Sequence, residues 1–376
     1  MDFGLTEEQR LLVDNAASFL KKHSPVARLR SLRADAIGWS RQMWRQMAEL
    51  GWLGVSFPEE VGGLGASFLE ASLILEQLGV SLAPEPFIPH LVAGHAILRA
   101  GTTEQRRRWL LPAIEGRTSL ALAALEAQSR SDVTDVTTTA VRVGAGYRLD
   151  GVKRWVLNGH AAGSLVVSAR LPGSLALFVV DREGAGVKVQ PVKTMDGHHA
   201  AMVTFAGAEV GEERRLGTAD AAEVLFECAD IGAAAACAEG HGIMRTALAM
   251  TVDYLRTREQ FGVKIGTFQA LQHRAVDMFV ETELARSMAI LAALRVEDKD
   301  RAARESAISA AKVQLAVGGR LVTQQAIQLH GGIGVTDEHD IGLYFKRMHV
   351  LNSLFGDEEH HLARFAAAPA FVEGIE

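Results

Sequence analysis

Arg258-Glu259-Gln260-Phe261-Gly262 ends one long helical stretch, and Phe268-Gln269-Ala270-Leu271-Gln272-His273 opens the next. Gln328-Leu329-His330-Gly331-Gly332-Ile333-Gly334-Val335-Thr336 closes a third. Helical patterning covers roughly 223–260, 268–296 and 301–329 with hardly a proline, and helices of that length predict an antiparallel bundle. The Gly331-Gly332 pair has two readings. It can be a helix C-cap with its loop, or a place where backbone without Cβ approaches a pyrophosphate closely. No G-x-G-x-x-G follows a strand, so a Rossmann site is not indicated.

Upstream of about residue 221 the texture changes. Segment 133–143 is rich in Thr and Val, Gly144-Ala145-Gly146 reads as a hairpin turn, and 147–157 alternates. Segments 164–170, 175–180 and 187–192 are further short strand candidates. The first third is helical: Thr6 with Gln9 forms a capping-box pattern, and Leu12, Ala16, Phe19 and Leu20 recur on one face. Amphipathic stretches at 39–50, 67–78 and 104–114 follow, separated by Pro/Gly-rich breakers. The expected fold is therefore an α+β multidomain chain. It has an N-terminal helical domain (1–118), a middle antiparallel β-barrel or sandwich (119–220) and a C-terminal antiparallel helix bundle (221–376).

Composition narrows the function classes. The 376 residues are 48% hydrophobic and 22% charged, which is globular, and the formal net charge of −6 gives no support to nucleic-acid or anionic-membrane binding. Only Cys228 and Cys237 occur, without a CxxC, so neither a disulfide framework nor a zinc site is expected, and a reducing cytoplasm is the default. Neither a signal peptide nor a membrane span is expected, since the start turns polar at once and the apolar runs are short.

Three further stretches matter: Leu5-Thr6-Glu7-Glu8-Gln9, Gly54-Val55-Ser56-Phe57-Pro58-Glu59-Glu60-Val61-Gly62-Gly63, and Gly151-Val152-Lys153-Arg154-Trp155-Val156-Leu157-Asn158-Gly159. With the C-terminal blocks they make the whole chain resemble the acyl-CoA dehydrogenases. The nearest likeness is to the sterol side-chain and dicarboxylyl-CoA subset. The resemblance implies α,β-dehydrogenation of an acyl-CoA, with FAD bound between the β domain and the bundle and a neighbouring subunit closing the site. An electron-transfer flavoprotein would be the oxidant, and the assembly a homotetramer or a heterotetramer with a related subunit. It also implies that Arg258, Gln260 and Phe261, together with Gln328, Gly331, Gly332 and Gly334, hold FAD, and that Trp155 lies against the flavin. Ser131 would touch the acyl-CoA.

The family's Glu-Pro-Gly-Ala-Gly-Ser-Asp loop stands here as Glu126-Ala127-Gln128-Ser129-Arg130-Ser131-Asp132, preceded by Leu125. Leu157 replaces the usual Thr, so two side-chain hydrogen bonds to the isoalloxazine are missing. The common position of the base aligns with Phe355, and the second, counted back from Arg258, falls on Gly232. Glu239 lies seven residues on, within about 20° of the same helix face, among Ala236-Cys237-Ala238. A lone carboxylate in such a setting is costly to bury unless functional, which makes Glu239 the candidate base. The bland alternative has it facing solvent or capping a helix. Asp357 and Asp230 are weaker candidates, and His330 and His273 are read as packing or hydrogen-bonding groups. Two other functional readings stay open: a catalytically weak or silent partner subunit of a heterotetramer, and an acyl-CoA oxidase-like relative.

Overall fold

Thr6 begins the first helix as its spacing to Gln9 predicts. The Gln9 amide donates to Thr6 Oγ1 at 3.2 Å, and the Thr6 amide donates to Gln9 Oε1 at 3.1 Å. The computed structural model describes residues 4–368. Along the chain come α1 (Glu7–His23), α2 (Val26–Leu32), α3 (Arg41–Glu49), α4 (Phe68–Ser81) and α5 (Phe87–Ala100). Next, α6 (Thr103–Gln105) runs through a π-helical turn, Arg106–Leu110, into α7 (Leu111–Ile114). Strands β1 (Leu120–Ala123), β2 (Thr139–Val143), β3 (Gly146–Leu157), β4 (Ser164–Leu171), β5 (Ser174–Asp181), β6 (Val187–Lys193), β7 (His199–Gly211) and β8 (Arg215–Leu216) follow. The last part holds α8 (Ala222–Thr257), the strand pair β9 (Glu259–Gln260) and β10 (Val263–Lys264), and then α9 (Gln269–Arg295), α10 (Arg301–His330), α11 (Ile341–Ser353) and α12 (Glu358–Ala366).

The chain divides into two compact units. The helical one comprises Met1–Arg30, Phe68–Ala83 and Ala233–Glu376, and the other Ser31–Ser67 and Pro84–Gly232. In the helical unit, α4 and α8 touch backbone to backbone. A Cβ on Gly79 would lie 2.1 Å from Glu239 O, and one on Gly242 would lie 2.0 Å from Glu76 O. Only glycine permits that approach. Asp300 starts α10 by accepting from the amides of Ala302 and Ala303 at 2.9 and 3.3 Å. Lys312, buried on α10, closes α11: its ammonium donates to Leu351 O at 2.8 Å and Leu354 O at 2.9 Å. A cation on the last carbonyls satisfies groups that a helix end leaves without partners.

In the other unit the sheet runs β6-β7-β3-β2-β4-β5-β8, with β1 added to β4. Gly144-Ala145 makes the expected hairpin between β2 and β3, pairing Val143 with Gly146. Leu149, Leu165, Val167, Phe178, Val203 and Phe205 fill the core on one face. The sheet is an open path rather than a closed barrel, and it is not wholly antiparallel, because β1 runs parallel to β4. β4 and β5 are buried along most of their length, so they read as apolar runs without alternation. Other departures from the sequence reading are α5, β1 and β7, which it omits, and segment 133–138, which is loop with only Thr139–Val143 as strand.

Candidate cofactor and active site

Tyr254 and Arg258 sit one turn apart where α8 ends, and the Arg258 amide still donates to Tyr254 O at 2.8 Å. β9 and β10 then form a ribbon turned by Phe261 and Gly262, with φ of 57° and 79°. Two positive φ values are what a tight two-residue hairpin requires. Glycine adopts them freely, whereas phenylalanine is strained, and its ring stands 91% exposed. From this ribbon the chain enters α9. The C-terminal end of α10 returns beside it and breaks at Gly331, whose φ is 62°.

These elements enclose a cavity of about 760 Å³, within the usual range of small-molecule sites. Arg258, Gln260, Gln328, Gly331 and Gly332, all singled out from sequence, line it together. Arg274 from α9 adds a second guanidinium, and the lining holds no carboxylate. Glu259, the nearest acid in sequence, faces Lys264 Nζ at 2.6 Å. At Gly331 and Gly332 a Cβ would meet nothing within 4 Å, so their backbone borders open space. His330 forms part of the wall. Its Nδ1 donates to Ala326 O at 2.7 Å, and its ring lies between Tyr254 and His339, with centroids 4.7 and 4.6 Å away. Burial holds its pKa below the ordinary value, so the ring is neutral near pH 7. Phe261 and Gly334 stand outside the lining. A Cβ on Gly334 would lie 2.5 Å from Ile327 O, so this glycine answers to packing.

In the β-sheet unit, Trp155 has φ 53° at a register shift between Lys153 and Val156, and its indole is 58% exposed. An exposed indole on a strained backbone points to function rather than packing. The preceding residue ties this bulge to the altered loop, as the Arg154 amide donates to Leu125 O at 2.8 Å. Beneath it Lys153, with no exposed surface, donates to Glu126 Oε1 at 2.8 Å, Ser168 Oγ at 2.8 Å and Ala124 O at 3.1 Å. Glu126 also accepts from the amides of Thr137 at 2.8 Å and Thr138 at 2.9 Å. Burial works to raise its pKa, but hydrogen bonds from Lys153 and Thr137 and the lysine's charge outweigh burial, and the carboxyl is held far below its usual range. Burial pushes Lys153 down to about 8 against the pull of Glu126. Ser129 accepts from the Glu126 amide at 3.1 Å and donates to Asp135 O at 2.6 Å. The loop is thus ordered without proline or glycine. Arg130 adopts the left-handed backbone, φ 47°, at a position where the resembled motif has glycine, and Ser131 beside it is half-buried.

Glu239 is neither a lone carboxylate nor a solvent-facing one. It is 5% exposed, and Arg347 of α11 grips it from both sides, Nε to Oε1 at 2.5 Å and Nη2 to Oε2 at 3.0 Å. Asp357 is exposed and caps α12, accepting from the His360 amide at 2.9 Å. Phe355 sits in a left-handed turn, φ 57°, where His361 Nε2 donates to its carbonyl at 3.0 Å.

Family models for the acyl-CoA dehydrogenase N-terminal, middle and C-terminal domains match residues 6–117, 121–208 and 222–369. The acyl-CoA dehydrogenase IpdE2 of Mycolicibacterium smegmatis is 30% identical over 96% of this chain and 99% of its own length. The chain belongs to the acyl-CoA dehydrogenase family. Among solved structures, the Tcur3481-Tcur3483 steroid ACAD superposes with a TM-score of 0.88 at 34% identity, covering 98% of this chain and 99% of that one. The ChsE4-ChsE5 complex of Mycobacterium tuberculosis gives 0.90 at 27% identity with the same coverage. As an acyl-CoA dehydrogenase, the chain is an oxidoreductase acting on acyl-CoA, with FAD as cofactor.

The cavity residues of this acyl-CoA dehydrogenase fit the diphosphate of FAD. They present two guanidiniums, two Gln amides, open glycine backbone and no opposing acid. Leu125 and Leu157 are half-buried and offer no side-chain donor for the isoalloxazine. Arg274 was missed from sequence because the Phe268–His273 block stops one residue short of it. The Lys153–Glu126 pair was missed because two ionisable residues 27 apart give no sequence sign that they meet. Among the described residues no group of His, Cys, Asp or Glu is placed to hold a metal ion, and no helix is long and apolar enough to cross a membrane.

Proposed function

We propose that this chain is one subunit of a two-component, FAD-dependent acyl-CoA dehydrogenase that converts a bulky acyl-CoA to its enoyl-CoA. FAD, when bound, accepts the β-hydrogen as hydride. What this chain supplies is the cationic cradle of Arg258, Gln328, Gly331 and Gly332, and a strained, exposed Trp155 on a rigid bulge. A second protein chain supplies the base that removes the α-proton. The observation that carries this division is Glu239, whose two oxygens are both taken by Arg347. To accept a proton it would have to give up a buried, bidentate ion pair and leave Arg347 without its counter-charge. Phe355 has no acidic group, and Asp357 is engaged as a helix cap.

Two solved relatives, each named as a pair of chains and one of them a steroid ACAD, support a paired assembly and a polycyclic acyl group. A third, named for an electron transferring flavoprotein and 30% identical, supports that class of protein as electron acceptor. The partner we assign is a second acyl-CoA dehydrogenase-type chain seated on α9. That helix bears apolar residues on two opposite sides. Met278, Thr282, Ala285, Ala289 and Ala292 are buried, while Val276, Phe279, Val280, Leu284, Leu291 and Leu294 are 37–58% exposed on an arc of roughly 140°. A helix with this many apolar residues exposed along its second face, even with Glu283 and Ser287 among them, belongs between two neighbours.

The test is anaerobic mixing of the purified chain with a steroid side-chain CoA thioester while the flavin spectrum is followed. The expected result is flavin reduction only when a base-bearing partner is co-expressed. Rapid reduction by this chain alone would favour the second reading, in which Arg347 swings away and Glu239 is the base.

A further inference from the structure

Arg274 rises from the second turn of α9 on the cavity wall, away from Arg258 at the end of α8. Its Nη1 donates to Gln325 Oε1 at 3.2 Å, and Gln325 stands one turn before Gln328 on α10. The guanidinium is therefore tethered to α10 on the wall of the cavity. Arg258, the residue that follows α8, carries the other guanidinium of the lining. The cavity thus has two cations from separate elements and no carboxylate in its lining. A flavin-adenine diphosphate bridge carries two negative charges, one on each phosphate. One arginine would leave half of that charge without a partner in a partly enclosed site, where charge is costly. We infer that Arg274 is a second diphosphate-binding residue, each guanidinium taking one phosphate, so that the cradle selects FAD over flavins lacking the diphosphate. The inference rests on the reading of this cavity as the FAD diphosphate cradle.

The test uses the assembly as purified, stripped of flavin and titrated with FAD and with riboflavin by flavin fluorescence. Arg274 is exposed and its substitution leaves the core untouched. Losing one charge-assisted contact should weaken FAD binding roughly 10- to 100-fold, with Arg274→Gln more affected than Arg274→Lys and riboflavin affinity unchanged in both. The weakening should shrink at high salt, because screening removes what the charge contributes. Gly332→Asp is the control for the cradle itself. It has room for a side chain, and its carboxylate faces the diphosphate. If Arg274→Gln binds FAD like wild type while Gly332→Asp does not, the inference fails and the cradle stands. If both bind FAD like wild type, or if the wild-type assembly takes up none, the cradle reading falls and the inference with it. An equal loss of riboflavin binding in Arg274→Gln would also overturn the inference, since that contact would not be with phosphate.

Discussion

Glu239 is a glutamate that sequence places among alanines and structure places against an arginine. Both facts concern the same few cubic ångströms, and they lead to opposite roles. A base must be free to gain a proton, whereas a buried ion pair is held by keeping both members charged. Glu239→Gln separates the two. If the pair is structural, the variant leaves Arg347 buried without its counter-charge and should lose about 3–5 kcal/mol of stability, read by urea unfolding. Replacing both members together, Glu239→Gln with Arg347→Met, should recover much of that loss, because no unpaired charge remains. A Glu239→Gln protein as stable as wild type whose flavin no longer accepts substrate hydride would restore Glu239 as the base. The sequence could not show the pairing, because Arg347 lies 108 residues away on another helix. By contrast Arg258, Gln328, Gly331 and Gly332 were legible. The resemblance of their short blocks names them, and the structure brings all four to the lining of one cavity.

At the scale of elements, the loop from Leu125 to Thr138 and the β3 bulge act together, because Lys153 and Glu126 join them below the surface. The folded-state pKa of Glu126 is depressed, so its stabilisation is complete above the ordinary value of 4.5 and fades as pH falls below it. Trp155, exposed on the bulge, reports the change. Its fluorescence should shift on acidification below about pH 4.5 before global unfolding is seen by far-UV circular dichroism. In Lys153→Met the same shift should already be present at pH 7, with about 3–5 kcal/mol lost, since Glu126 is then buried without its cation. Coincident local and global transitions in the wild type would show that the pair does not govern the bulge. Two of the elements that escaped sequence reading share a cause. β1 is buried along most of its short length, and an apolar run of that kind carries no period to distinguish strand from helix. α5 hides similarly, being buried along Phe87, Ile88, Leu91, Val92 and Ile97 after a Pro-rich breaker. The long helices of the helical unit were plain because many residues in succession repeat one pattern, and the capping box at Thr6 was plain because four residues define it.

For the whole molecule, the decisive quantity is how much of α9 stays bare. Apolar side chains at 276, 279, 280, 284, 291 and 294 face away from the packed side of their helix. Fully burying a large apolar side chain is worth about 1.5–3 kcal/mol; these six are already about half covered, so each would add roughly half of that to a contact between chains, set against the cost of association. We expect the purified protein to be larger than one 40.5 kDa chain by light scattering at micromolar concentration. Phe279→Asp with Leu284→Asp should shift it toward that single-chain mass. Both side chains are about half exposed, at 53% and 47%, so the change spares the core and circular dichroism should remain helical. The carboxylates would have to be buried at the contact, which costs far more than the apolar contacts they replace. If the doubly substituted chain keeps its assembly size, α9 is not the contact, and the partner must seat elsewhere. If it becomes monomeric yet retains FAD with wild-type affinity, the cradle of Arg258, Arg274 and Gly332 works within one chain, and pairing would serve only to bring the base. If flavin is lost along with the assembly, the second chain completes the cofactor site as well as the chemistry.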